Sequence, residues 1–200
     1  MREKFSGILF YDKLLELGGV DANAYPPCDP NELENLFHSI LDTPNPSLTL
    51  KNCLLYYIMK DFGTGIAEKY ASTFDLSRPF KLAIDGFWAM DNGKFKEAIQ
   101  FLSDPSVDLD DSPETCLEWP RKIIESLFAS KALKEGFQFV QSTKPALWSQ
   151  SAISGVLQVL VSNSILSALE FCRQFCKHDI QESLNLVFSQ VFSNTKGIMS

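Results

Sequence analysis

The chain has 200 residues, 45% apolar and 22% charged, with a net charge of −7 at neutral pH. That length suffices for one sizeable domain burying on the order of 70% of its unfolded surface. The negative balance argues against a direct nucleic-acid surface, which needs Lys and Arg to replace phosphate counterions.

Five cysteines, odd in number and irregular in spacing, fit a reducing compartment better than a disulfide framework. No apolar run approaches the ~20 residues that span a bilayer, so no membrane insertion is expected. Asp12 and Lys13 interrupt the only apolar run near the start, and no signal peptide is visible. The chain reads as a soluble nuclear or cytoplasmic protein.

In chain order, the pattern predicts a first helix over Arg2 to Leu17, stopped at Gly18-Gly19. Phe5, Ile8, Leu9, Phe10, Tyr11, Leu14, Leu15 and Leu17 leave it apolar almost all round. Such a helix is either sandwiched in its own fold or docked on a partner, and a core helix is the commoner case. If it docks, Phe5, Ile8 and Tyr11 are candidate partner contacts. A turn follows at Tyr25-Pro26-Pro27. Asp29-Pro30-Asn31-Glu32 then gives an N-cap, a proline at the first helical position and a carboxylate to close the capping box. That helix carries Leu33, Leu36, Phe37, Ile40 and Leu41.

Pro44 and Pro46 break the chain, and Ser47 caps a helix through Leu50, Leu54, Tyr57 and Ile58 that ends near Gly63. Thr64 is the expected cap of a short helix to Phe74. Pro79 opens a central pair. Its first member carries Leu82, Ile84, Phe87 and Trp88; its second carries Phe95, Ala98, Ile99 and Leu102 at i, i+3, i+4, i+7. Between them, Gly93 can take the left-handed conformation that stops a helix, and Asp91 or Asn92 can cap the next one. Trp88 and Trp119 are expected core anchors.

After Leu102 comes a loop carrying Asp104, Asp108, Asp110, Asp111, Glu114 and Glu118, with no basic residue before Arg121. Its Asp104, Asp108, Asp110 and Asp111 are candidate contacts for a basic partner surface. Pro120 suits the first turn of the next helix, which carries Ile123, Ile124 and Leu127. The last helix opens with Asp179 and Glu182 and carries Ile180, Leu184, Val187, Phe188, Val191 and Phe192. No segment alternates with period two. A single all-α domain over 1–200 is the economical reading.

The central unit has copies. Gly93 to Leu102 (GKFKEAIQFL), Lys131 to Val140 (KALKEGFQFV) and Asn163 to Cys172 (NSILSALEFC) agree column by column, at offsets of 38 and 32 residues. Phe95, Leu133 and Ile165 are apolar; Ala98, Gly136 and Ala168 are small; Phe101, Phe139 and Phe171 are all phenylalanine. Those offsets fall in the range of two-helix repeats, which predicts an α-solenoid-like stack of antiparallel helix pairs. The competing account is that amphipathic helices resemble one another by type alone.

Candidate chemistry is sparse. His38 lies beside Phe37 with no partner implied by spacing. Cys172 and Cys176 share a helical face, but His178 does not join Cys176 on it, so core sulfur is the better reading than zinc. The Asp108–Glu114 cluster lacks the glycine and terminal glutamate of a calcium loop. Gly63-Thr64-Gly65 is too short to cradle phosphate and lacks the following lysine. Arg121, Lys122, Lys131 and Lys134 make a basic patch whose default is a solvated helix face. No catalytic residue, metal or cofactor is expected, and the protein reads as a non-enzyme.

One longer pattern resembles a known family. Trp88-x-x-Asp91-x-Gly93-x-Phe95-x-x-Ala98-x-x-x-Leu102-Ser103-x-Pro105-Ser106, followed by Trp119-Pro120-x-Lys122-Ile123-Ile124-x-x-Leu127, is similar to the ELYS-like domain of nuclear pore scaffolds. The match is densest over residues 70–145, where Tyr70-Ala71-x-x-Phe74-x-Leu76 leads into the motif. The resemblance implies a structural nucleoporin of the nucleus and nuclear envelope. It would dock onto the Y-shaped scaffold, the Y-complex, at an arm subunit built from a β-propeller and a solenoid. Larger relatives add a β-propeller and a DNA-binding tail; neither is expected here, so the resemblance is to the short fungal-type members and chromatin binding is not carried over. The alternative is a tetratricopeptide-like adaptor holding peptide segments in a groove, although Ala89 and Pro105 depart from that pattern.

Overall fold

The computed structural model describes residues 9–44, 46–109, 119–143, 150–175 and 180–196. Among the described residues all regular structure is helical, with eleven α-helices, one short 3-10 turn at Ala22–Ala24 and no strand. The chain divides into two compact units, Met1–Asp108 and Leu109–Ser200.

The first unit holds α1 (Phe10–Leu17), α2 (Pro30–Asp42), α3 (Leu48–Asp61), α4 (Thr64–Thr73), α5 (Arg78–Asp91) and α6 (Phe95–Leu102). α1 starts later than its apolar run implies. Leu9 is extended, at φ −88° and ψ 157°, so one helix from Arg2 to Leu17 is ruled out there. The physical reason is Asp12, whose carboxylate accepts the Leu9 N–H at 2.8 Å and so fixes the first turn. α1 is sandwiched: Leu9, Phe10, Tyr11, Leu14 and Leu15 are buried against α3 and α5. Phe10 stacks on Phe87 of α5 with ring centroids 5.5 Å apart.

The starts of α2 and α3 obey their sequence signals, whereas Asp179, the expected cap of the last helix, lies outside the described residues. Asp29 accepts from the Glu32 N–H at 2.8 Å with Pro30 in the first turn, and Ser47 accepts from the Leu50 N–H at 3.2 Å. Thr64 does not cap α4. It is the first helical residue, and Gly63 holds the cap position with no side chain to offer.

The α5–α6 turn ends α5 in a Schellman motif. Gly93 sits at φ +71°, its N–H donates to the Met90 carbonyl at 3.0 Å, and the Lys94 N–H donates to the Ala89 carbonyl at 2.8 Å. Three intervening residues, Asn92 to Lys94, fold α6 back on α5, so that Arg78 at the start of α5 reaches Asp104 beyond the end of α6 at 2.8 Å. Gly86 permits the approach, since a Cβ there would fall on the Leu102 side chain. Neither Asp91 nor Asn92 caps α6. The Asn92 amide donates back to the Trp88 carbonyl at 2.8 Å, and Asp91 turns into the core.

The second unit holds α7 (Trp119–Ala129), α8 (Leu133–Ser142), α9 (Gln150–Asn163), α10 (Ile165–Phe175) and α11 (Ile180–Lys196). Its core gathers Ile123, Ile124 and Leu127 of α7, Phe139 and Val140 of α8, Val156, Leu157 and Leu160 of α9, and Phe171 and Cys172 of α10. α7 ends as α5 does. Lys131, the repeat partner of Gly93, has φ +61°, and the Ala132 N–H donates to the Leu127 carbonyl at 2.8 Å.

The repeat columns hold locally. Phe95, Leu133 and Ile165 each open a helix. Ala98, Gly136 and Ala168 are buried, and a Cβ on Gly136 would stand 3.2 Å from the Phe128 ring of α7. Leu102, Val140 and Cys172 close the pattern in the core. Cys172 is therefore core sulfur, whereas Cys176 and His178 lie outside the described residues.

Candidate functional site

The first unit is built around a cluster of carboxylates and phenols. Asp91, the last residue of α5, is 3% exposed and accepts three hydrogen bonds. The N–H groups of Phe10 and Tyr11 donate to it at 2.8 and 3.0 Å, and the Tyr57 hydroxyl donates at 2.7 Å. Asp91 thus caps a helix that begins 81 residues earlier. Burial pushes its pKa up to about 7, against the three donors that lower it; nearby Asp12 raises it further.

Around this carboxylate, Tyr11 and Tyr57 stack at 4.1 Å and Tyr25 meets Tyr11 edge-on at 4.6 Å. The Tyr11 hydroxyl donates to the Leu54 carbonyl at 3.0 Å and the Tyr25 hydroxyl to Asp61 at 2.6 Å. A second buried carboxylate, Asp85, accepts from the Tyr56 hydroxyl at 2.9 Å and from Lys60. Burial raises the pKa of all four phenols, so they stay protonated and act as donors. Asp91 is placed to titrate near neutrality, but its oxygens face three donors inside a closed core. The cluster's chemistry is structural.

The expected partner contacts fall in different places. Tyr11 is fully buried, with ring and hydroxyl both engaged inside the unit, so it offers no surface to a partner in this fold. Phe5, Ile8, Asp110 and Asp111 lie outside the described residues. Asp104 accepts the Ser106 N–H at 2.9 Å and its hydroxyl at 2.6 Å, closing a local turn, and also pairs with Arg78. Those Ser106 bonds hold its carboxyl below the usual range, helped by Arg78. Asp108 is exposed.

Among the motif residues, Ala98, Leu102, Pro120 and Ile123 are buried, Phe95 is half-buried and Pro105 is exposed. Trp88 is not the core anchor expected of it. It lies half-buried at the surface, its indole N–H donating to Asp61 at 2.8 Å and its ring attended by Lys60 at 5.1 Å and Lys94 at 4.7 Å. Trp119 is likewise half-buried. An indole carries a polar edge, and at Trp88 the acceptor at Asp61 draws that edge toward the rim.

One arrangement escaped the sequence reading. α4 packs on α3 through Ala67 and Ala71, its only buried residues, while Ile66 and Phe74 are each 51% exposed. Small residues face in, while Ile66 and Phe74 face out and Tyr70 is half-buried. The signal was present as Ile66, Tyr70 and Phe74 at i, i+4, i+8, a stripe of bulky side chains.

Against this geometry, the ELYS family model, described as nuclear pore complex assembly, matches residues 8–200. The chain belongs to the ELYS family. Its place in the cell is the nuclear pore, and the family is described by assembly rather than by a catalysed reaction. Two relatives show the range. The "Uncharacterized protein ely5" of Schizosaccharomyces pombe is 29% identical over 149 residues, which cover 73% of this chain and 46% of that protein. "Protein ELYS" of Homo sapiens is 24% identical over 172 residues, covering 82% of this chain but 7% of the human protein. The chain therefore corresponds to under half of one relative and a small part of the other.

Proposed function

We infer that the chain is a non-enzymatic helical module that docks onto the Y-shaped scaffold of the nuclear pore through protein–protein contacts. The observation that carries this reading is the family match across nearly the whole chain to a nuclear pore assembly family. The physical support is that the buried carboxylates Asp85 and Asp91 are occupied by donors within the first unit, while large apolar side chains such as Ile66 and Phe74 lie outside. A tight scaffold contact buries at least ~1,000 Å² in total, more than one loop supplies, so a broad helical face carries it. Purified full chain mixed with reconstituted scaffold subunits is expected to co-elute as a stable complex. Folded protein that binds no scaffold subunit yet captures short peptides would favour the adaptor alternative. The groove between α7 and α9 is where such a peptide would sit, although Arg121 there already donates to Glu125 at 2.8 Å.

A further inference from the structure

We propose that the open side of α11 is part of the docking surface, and that it takes an apolar-faced helix of a helical-repeat partner, continuing the row in which α7 packs on α9 and α9 on α11. This deepens the scaffold reading and rests on it.

α9 and α11 carry the same pattern. In α9, Val156, Leu157, Leu160 and Val161 stand at i, i+1, i+4, i+5, and all four are buried. In α11, Ser183, Leu184, Val187 and Phe188 repeat that spacing. Here the pattern splits: Ser183 and Val187 are buried, Leu184 is half-buried and Phe188 is 49% exposed. Ile180, one turn before Leu184 on the same side, is 41% exposed.

The neighbours account for the difference. Among the described residues, α9 packs against α7, α10 and α11, whereas α11 packs chiefly against α9 and α10. Every element that closes the pattern on α9 is a helix, so the fold itself supplies the shape that fits the open side of α11: one more helix. A repeat stack that ended there would turn a polar face outward. Instead Ile180, Leu184 and Phe188 form an apolar strip at i, i+4, i+8. The charged residues of α11, Glu182 and Lys196, fall outside that strip on the helical wheel.

The size of the strip selects a partner over a second copy of this chain. Ile180 to Phe188 spans about 12 Å of helix. A strip that short falls well below the ~1,000 Å² in total that holds two chains together unaided. It suits one patch of a wider contact, which is what attachment to a scaffold requires.

The test uses the full chain and reconstituted scaffold subunits. Ile180→Glu and Phe188→Glu place charge on exposed positions and should leave helicity intact by circular dichroism. Each should weaken scaffold binding by about tenfold or more. Asn185→Glu puts the same charge on an exposed position of α11 away from the strip and should not weaken it. An equal loss from Asn185→Glu would overturn the assignment of the strip. A benzophenone crosslinker at position 188 identifies the occupant without relying on the charged variants to fold. Crosslinks to a helix of a helical-repeat subunit sustain the proposal. Crosslinks to a β-propeller or to a second copy, or none from a chain that binds scaffold, overturn it. If wild type binds scaffold and the Ile180 and Phe188 variants bind equally well, this face is wrong while the scaffold reading stands. If wild type binds no scaffold subunit, the scaffold reading falls and this inference falls with it.

Discussion

At the scale of single residues, the weightiest position is Asp91. Its folded pKa of about 7 lies above the ordinary 3.8, so the folded chain holds a proton that the unfolded chain has lost across that window. The stability it contributes is fully present below pH ~4 and is lost as pH rises through about 7, at up to about 1.4 kcal/mol per pH unit. Asp104 works in the opposite sense, its lowered pKa adding stability that is lost as pH falls. Urea denaturation from pH 4.5 to 8 should therefore show a falling limb that Asp91→Asn flattens. The variant itself should be less stable, because an amide cannot accept on both sides from Phe10 and Tyr11. Equal slopes in the two proteins would assign the limb to another group.

At the scale of elements, the decisive features are how helices end and how closely they approach. Gly93 and Lys131 hold the same left-handed position in two copies of the repeat, one with the residue suited to it and one without. Gly93→Val should cost more than ~1 kcal/mol and Lys131→Gly should add about 1 kcal/mol, both read as midpoint shifts in denaturant. Failure of the two to move in opposite directions would mean the turns are not equivalent. Enlarging Ala98 or Ala168 to Leu should overpack by ~1–3 kcal/mol, as expected of buried small positions, with melting temperature as the readout. The helices and their stops were legible because periodicity and capping act over a few residues. The start of α1 was not, because apolar residues continue on both sides of the boundary at Leu9, from Ile8 to Tyr11. Only the carboxylate of Asp12, read as an interruption rather than a cap, marked the boundary.

For the whole molecule, the all-helical class and the family were readable from one chain. The placement of its polar interior was not. Asp91 reads as a local cap because spacing reports neighbours along the chain, whereas its partners lie on α1 and α3. Trp88 reads as core because indole is large, and its need for an acceptor at Asp61 decides otherwise. The outward stripe of α4 is a pattern that amphipathicity assigns to the inside by default, and only burial reverses it. A net charge of −7 also conceals how the acids are distributed: Asp12, Asp85 and Asp91 are buried among donors.

The tie between Asp91 and α1 also sets an order of events during synthesis. The first turn of α1 emerges from the ribosome 81 residues ahead of the carboxylate that receives its amides. At roughly 5–20 residues per second, that leaves the apolar opening of the chain uncapped for about 4–16 s. Through that interval Phe10, Tyr11, Leu14 and Leu15 are available to a chaperone, and the arrival of α5 ends the opportunity.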